Sequence, residues 1–328
     1  MTRGRRDHQK EDRKKTAQEV MRSINDTLGP GTITFGNDAR HITSYIETGV
    51  LPLDILLDGG LPRGRITECF GDFSSLKSYI GLRAISSVQE DGGVALLVDT
   101  EHSFDPEWAA ECGCNVSNLI VQHPTTGEQA ADAVQMGLSM GVDLCVWDSI
   151  AASQPAQEAS VQLSGDKNIQ PARLAALMSI ALRRLNTTNK NTAILCINQT
   201  RTKVGVVFGS PETTPGGKAL GFFASYRVRF VKAGKIRTTR KTYDGEKMVV
   251  AHYTTGQKIK CELVKSKLSV PEKEVYFVWD LVKGEVDEDS YLAAVAFEHG
   301  LYTSILEAKK HLGSTKVRST IREAARNG

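Results

Sequence analysis

The chain has 328 residues, 40% of them hydrophobic and 24% charged, with a formal net charge of +3 at pH 7. This composition is ordinary for a soluble globular protein, and the length suits one large α/β domain with a small second one. It excludes a membrane-spanning protein, since no apolar run approaches the ~18 residues of a span; the opening MTRGRRDHQKEDRKK also lacks the apolar core of a secretory signal, so a cytoplasmic protein is expected. The small net charge demands no nucleic-acid partner by itself. Its distribution says more: residues 3–15 hold seven Lys/Arg against three acids, and the last twenty residues are also basic. Such runs are ordinarily solvated termini and only weakly suggest DNA.

Residues 16–28 place Val20, Ile24 and Leu28 at helical spacing, and Gly29 to Gly31 end that helix. TITF (32–35) reads as a lone strand, which needs a partner sheet, expected on another subunit. From Ile66 onward buried strands alternate with helices: RITECF, a helix over 76–90, VALLV (94–98), a helix over 105–112, DLCVW (143–147), a helix over 172–185, and TAILCI (192–197). Continuous apolar strands in that rhythm predict a mostly parallel sheet covered by helices on both faces. YRVRFV, KIKCELV and EVYFVW follow without long helices between them and are expected to extend the sheet antiparallel. Residues from about 287 are helical and form a small C-terminal subdomain. The six cysteines fit reduced structural thiols: three lie in apolar runs, and the Cys112/Cys114 pair has no second pair at zinc spacing.

The chemistry gathers at strand ends, where open α/β sheets bind ligands. GDFSSLKS (71–78) nearly spells the phosphate-loop pattern of Gly, four residues, Gly-Lys-Ser/Thr, with Leu76 at the second glycine. Its backbone N–H groups and the helix N-terminus would cradle an anion. Lys77 would reach the terminal phosphates and the Ser78 hydroxyl would ligate magnesium. Asp148, ending DLCVW, would hold the same ion through water. Glu101 would position or deprotonate the attacking water, and Gln199 would sense the γ-phosphate. If position 76 needs a positive φ, leucine costs roughly 1–2 kcal/mol; if φ is helical, its side chain crowds the phosphate.

These residues lie within longer segments, among them LPLDILLDGGLPRGRITECFG, VDTEHSFDPEWA and INQTRTKVGVVFGSPETTPGGKALGFFAS, that resemble the RecA family of ATP-dependent strand-exchange recombinases, bacterial or phage-encoded. The resemblance covers about 16–285. It implies a RecA-like P-loop NTPase core (37–285), an N-terminal polymerisation element with a basic tail (1–36) and a small C-terminal subdomain (286–328). It implies ATP contacts from Gly71, Ser74, Ser75, Leu76, Lys77, Ser78 and Tyr79, with Asp105 and Trp108 beside the adenine; most members carry tyrosine at the latter position. Lys77, Glu101 and Gln199 take the catalytic roles, and Ser78 and Asp148 hold Mg2+. Lys265 and Lys267 match lysines that reach the neighbouring protomer's phosphates. A third such lysine falls on Gly221, with Lys218 nearby.

For DNA, the resemblance implies two loops, about 154–172 and 200–217. Arg173, Arg183, Arg201 and Lys203 would meet phosphates, Val204 would wedge between base triplets, and Phe208 is its aromatic neighbour. Gly216 and Gly217 would let backbone N–H groups approach the DNA. Phe222 matches the protomer-interface residue that transmits the nucleotide state. The implied partners are single-stranded DNA, homologous duplex DNA and further copies of the chain in a helical filament, in the host cytoplasm if phage-encoded. The short basic C-terminus, where many bacterial members carry an acidic tail, predicts readier duplex binding. An alternative reading is a nucleotide-binding DNA filament or accessory protein that hydrolyses poorly because of Leu76. A helicase motor is disfavoured by the second loop and the N-terminal element.

Overall fold

The computed structural model describes residues 3–36, 44–159, 172–202, 212–243 and 245–327, with side chains between 16 and 324. The chain divides into two compact units, Met1–Thr43 and Ser44–Gly328. In the first, helix α1 (Arg3–Leu28) starts well ahead of residue 16 and stops at Gly29, which sits at φ 106°. Within the single chain residues 32–35 pair with no other strand among the described residues. Asn25 holds this segment. Its Oδ1 accepts from the Ile33 N–H at 2.9 Å and its Nδ2 donates to the Ile33 carbonyl at 3.0 Å. One side chain thus satisfies both main-chain groups of Ile33.

The second unit is built on one sheet. In chain order its strands are β1 (Ile66–Gly71), β2 (Ala95–Asp99), β3 (Ile120–Gln122), β4 (Leu144–Asp148), β5 (Ala193–Gln199), β6 (Tyr226–Tyr243), β7 (Met248–Ser266), β8 (Glu274–Asp280) and β9 (Glu285–Val286). They lie in the order β9-β8-β7-β6-β1-β5-β4-β2-β3. Pairing is parallel from β6 through β3 and antiparallel from β6 out to β9, as the sequence predicts for both halves.

Alternation along each strand explains why the parallel strands read as unbroken apolar runs. Leu97, Val146, Leu195 and Ile197 join Ile80, Ile85 and Val88 of helix α2 (Lys77–Glu90) in one cluster. Leu96, Val98, Cys145, Trp147 and Cys196 join a second cluster on the other face. That cluster is closed by Val134 of helix α4 (Gly127–Met140) and by Met178 and Leu182 of helix α5 (Ala172–Thr188). Between α2 and α4 lies the short helix α3 (Pro106–Glu111). Thr126 caps α4 by accepting from Gln129 N–H, and Gly141 ends it at φ 77°.

The six cysteines are buried and free. Burial pushes the Cys112 thiol up to about 12 and the Cys114 thiol to about 11. A short helix α6 (Ala219–Phe223) precedes β6. After β9, helices α7 (Glu288–Glu298), α8 (Ile305–His311) and α9 (Thr315–Asn327) gather Leu292, Val295, Leu312 and Ile321 around Leu51 in a third cluster.

Strand β6 pairs with β1 only over Tyr226–Phe230, and β7 pairs with β8 only over Gly256–Glu262. Beyond those limits β6 and β7 run on together as a two-stranded ribbon, paired out to Tyr243 and Met248.

Candidate functional site

Parallel strands end on one edge, and that edge carries the polar residues. Strand β1 ends at Gly71, where a Cβ would lie 2.2 Å from the Phe230 carbonyl oxygen, at φ 155°. The loop turns through positive φ at Ser74 (55°) and Leu76 (71°) before α2 begins. Leu76 therefore holds the left-handed conformation that glycine ordinarily supplies, at a cost of roughly 1–2 kcal/mol. Its partly buried side chain packs against the first core cluster, which offsets part of that cost. Of the two alternatives for position 76, positive φ is the one adopted.

The Lys77 ammonium is folded back into the loop. It donates to the Asp72 carbonyl at 2.7 Å, the Gly71 carbonyl at 3.1 Å and Ser75 Oγ at 3.3 Å. Burial lowers its proton affinity, and Asp148 opposes that effect. Asp148 is pushed up to about 6, first by burial, which a hydrogen bond from Ser78 counters, and then by the negative charges of Glu101 and Asp99. Ser78 and Asp148 are thus in contact at the end of β4. A hydroxyl and a carboxylate beside phosphate suit magnesium, which keeps several of its waters and needs no closed protein cage. Among the described residues no group of three or more His, Cys, Asp or Glu forms such a cage.

Glu101 follows β2 and is held from two sides. Its Oε1 accepts from Ser149 Oγ at 2.6 Å and from Gln199 Nε2 at 3.0 Å. Ser149 is fixed in turn by Thr100, whose Oγ1 accepts from the Ser149 N–H at 2.8 Å and donates to its carbonyl at 2.6 Å. Residues from three strand ends therefore meet at one carboxylate.

A cavity of 570 Å³ opens over this loop, lined by Ser74 to Tyr79, Trp108, Trp279, Lys232 and Lys235 among others. Its aromatic residues form one cluster: Tyr79 stands edge-on to Trp279 at 4.6 Å, and Trp108 lies 6.5 Å from Tyr79 and 6.4 Å from Trp279. Flat faces beside an anion cradle suit a nucleotide base. The Asp105 carboxylate is occupied otherwise, capping α3 by accepting from the Glu107 and Trp108 N–H groups at 2.8 and 3.2 Å.

Lys265 and Lys267 converge on the C-terminal end of α6. Lys265 Nζ donates to the Gly221, Phe222 and Ala224 carbonyls, the last at 3.0 Å; Lys267 Nζ donates to the Phe222 carbonyl at 2.6 Å. Burial lowers the proton affinity of both. Phe222 itself is 69% exposed.

The DNA-loop candidates are only partly placed. Lys203, Val204 and Phe208 lie outside the described residues, as do residues 160–171 of the first loop. Arg173 and Arg183 lie on α5, and Arg183 and Arg201 are exposed. Gly216 and Gly217 sit at φ 85° and 72° against α5, where a Cβ would meet Met178 at 3.0 Å and Ala175 at 2.8 Å. Asn198 bridges Pro215 of this segment to buried Glu68, with Nδ2 at 3.1 and 3.0 Å. Glu68 in turn pairs with Arg227.

The RecA N-terminal domain family matches residues 15–285. Protein RecA of Thermus aquaticus is 38% identical over 328 residues, spanning 95% of this chain and 91% of its own. Protein RecA of Mycolicibacterium smegmatis is 38% identical over 295 residues, 88% of this chain and 80% of its own. Protein RecA of Mycobacterium ulcerans is 40% identical over 271 residues, 81% and 74% respectively. The chain belongs to the RecA family. With it come the α/β core seen here and a place among proteins of DNA recombination and repair. No helix among the described residues is long and apolar enough to cross a membrane.

Reading the sequence for RecA motifs alone passed over Trp279, Lys232, Lys235 and the Thr100–Ser149 link. Trp279 sits inside an apolar strand, EVYFVWD, where a core role is the ordinary one. The two lysines reach the cavity because β6 runs on past Phe230, its last pair with β1.

Proposed function

We propose that this RecA-family chain is a DNA-dependent ATPase that filaments on single-stranded DNA and promotes homologous pairing and strand exchange. The observation that carries the reading is the meeting of the loop, Asp148, Glu101 and Gln199 on one sheet edge. Gln199 stands at the root of the second DNA loop and hydrogen-bonds Glu101 directly, at 3.0 Å.

The loop N–H groups and the N-terminus of α2 bind the phosphates of ATP. Lys77 leaves its three internal acceptors and turns to the terminal phosphates. Ser78 and Asp148 would hold Mg2+, which would neutralise charge on the phosphate oxygens. Glu101 orients the attacking water and takes its proton. Ser149 and Gln199 fix the Glu101 carboxylate, so a change in the second DNA loop acts on it through Gln199. Trp108, Trp279 and Tyr79 flank the base. Lys265 and Lys267 reach the phosphates of a neighbouring copy, and Phe222 lies at that interface. Arg173, Arg183, Arg201, Gly216 and Gly217 face the DNA backbone, together with Lys203, Val204 and Phe208. Residues 1–36 pack on the next protomer; the exposure of Val20 and Leu28 on α1 supports this.

The weak-hydrolysis alternative rests on Leu76, with Gly221 in place of a family lysine as its second ground. With the Leu76 backbone in the glycine-like conformation and its side chain against the core, that alternative is not favoured. The test is ATP hydrolysis with and without single-stranded DNA, with Lys77→Ala as the blank. DNA-stimulated turnover that disappears in Lys77→Ala is expected. DNA binding that depends on ATP but proceeds without turnover would return the reading to the alternative.

A further inference from the structure

The ribbon formed by the outer parts of β6 and β7 is used by nothing described so far. Past Arg237 and Thr254 neither strand has a second neighbour among the described residues, so the ribbon stands clear of the sheet. From Arg237 to Tyr243 the free part extends about 20 Å at a strand's rise of ~3.3 Å per residue. A bare two-stranded hairpin gains little from burial and is marginal alone. Its length therefore calls for an occupant.

Its chemistry selects one. Between residues 235 and 247 five Lys/Arg stand against two acids, and residues 248–258 contain no acid at all. Arg237, Arg240 and Lys241 are exposed, and no carboxylate among the described residues lies within ion-pair distance of them. Directly paired residues share a face. Arg237 pairs with Thr254, Thr239 with His252 and Lys241 with Val250, which gives one face two cations and a histidine. Arg240, paired with Ala251, points to the other face. Threonine hydroxyls at 238, 239, 242 and 254 lie between the charges, with Tyr243 exposed at the tip and Tyr253 exposed near the root, opposite Thr238. Cations on both faces, interleaved with hydroxyls and aromatics, match a polyanion that surrounds the ribbon. A protein partner would instead need acid on two opposed walls. The major groove of duplex DNA admits a two-stranded ribbon and presents phosphates on both sides of it.

We propose that the ribbon is a second DNA-binding element, separate from the two loops, that lies in a groove of duplex DNA and grips its phosphates through Arg237, Arg240 and Lys241. The proposal rests on the reading above only in taking DNA as the polyanion. Because the root of the ribbon, through Lys235 and Thr254, lines the cavity over the phosphate loop, a bound duplex would lie close to the nucleotide site.

Two variants of the full chain test this. One is the triple Arg237→Gln, Arg240→Gln, Lys241→Gln. The other replaces Arg240–Ala251 by Asn-Gly, which closes the hairpin on the existing Thr239–His252 pair. The readout is affinity for a short labelled duplex of unrelated sequence between about 50 and 200 mM salt. Loss of three phosphate contacts should flatten the slope of log affinity against log salt by about 2.7, so that the variant's deficit at 50 mM exceeds its deficit at 200 mM by roughly 40-fold. Hydrolysis stimulated by single-stranded DNA should stay unchanged in both variants. Duplex affinity and salt slope equal to those of the unmodified chain overturn the proposal. So does weakened self-association in sedimentation with duplex binding intact, which would assign the ribbon to a second copy. An unmodified chain that binds neither single-stranded nor duplex DNA overturns the recombinase reading as well, an outcome distinct from both.

Discussion

The two halves of the sheet treat their charged residues differently. In the parallel half, each side chain assigned to chemistry is tied down within the chain: Lys77 by three acceptors, Asp148 by Ser78, Glu101 by Ser149 and Gln199. In the antiparallel half, the ribbon holds its cations in solvent. Lys265 and Lys267 fall between these extremes, tethered to main-chain carbonyls of α6 that they can exchange for other anions. Phosphoryl transfer needs groups placed to a fraction of an ångström, and buried parallel strands supply that rigidity. Gripping a long polyanion needs reach, and an extendable hairpin supplies that.

Breaking the tied half should have the largest effect. Lys77→Ala is expected to lower ATP hydrolysis by about 10²-fold or more, the scale of losing one preorganised charge-stabilising donor. Hydrolysis within threefold of the unmodified chain would remove Lys77 from the chemistry. The intermediate pair comes next. Lys265→Ala with Lys267→Ala should cut DNA-stimulated turnover by roughly 10- to 100-fold, less than the ~10³- to 10⁵-fold of a full arginine finger, while nucleotide binding to the isolated protomer persists. Equal loss in both measurements would mean that the lysines serve only to hold α6.

A smaller effect sharpens the contrast through pH. The Asp148 carboxyl titrates at about 6 in the fold against 3.8 for an ordinary aspartate. The folded state binds this proton more tightly, so the stabilisation is fully present below 3.8 and is lost as pH rises through about 6. Asp148→Asn should therefore stabilise the ligand-free chain by up to about 3 kcal/mol near neutral pH, less what the lost Ser78 hydrogen bond to the carboxylate contributes, and that gain should vanish near pH 4. A gain that is constant across the range would refute the assignment. The smallest change is expected from Leu76→Gly. Relief of the left-handed strain, about 1–2 kcal/mol, is countered by lost packing and by the added chain entropy of glycine. The unfolding free energy from denaturant titration should change by less than about 1 kcal/mol, with nucleotide affinity equal or higher. A collapse of hydrolysis in this variant would show that the leucine side chain itself is needed.

Legibility in the sequence followed the same division. The parallel strands could be read because burial on both faces leaves unbroken apolar runs, and the phosphate loop, Asp148, Glu101 and Gln199 could be located because they stand where those runs stop. The ribbon escaped because both of its faces are wet, so its residues show no period-two alternation of apolar and polar types. The helix α4 was passed over although Thr126 and Gln129 mark its start. The conformation of Leu76 depends on the loop's closure against Phe230 and α2, which no local pattern encodes.

The burial of all six cysteines has a practical consequence for chemistry at the bench. Alkylation requires a thiolate, and thiols held in the core with raised pKa values react slowly. A single cysteine introduced at the ribbon tip, for example Thr242→Cys, would accept a maleimide dye in preference to the native six. The chain thus arrives with a nearly silent background for site-specific labelling, and the approach of a duplex to the ribbon can be followed as a change in fluorescence without first stripping any native thiol.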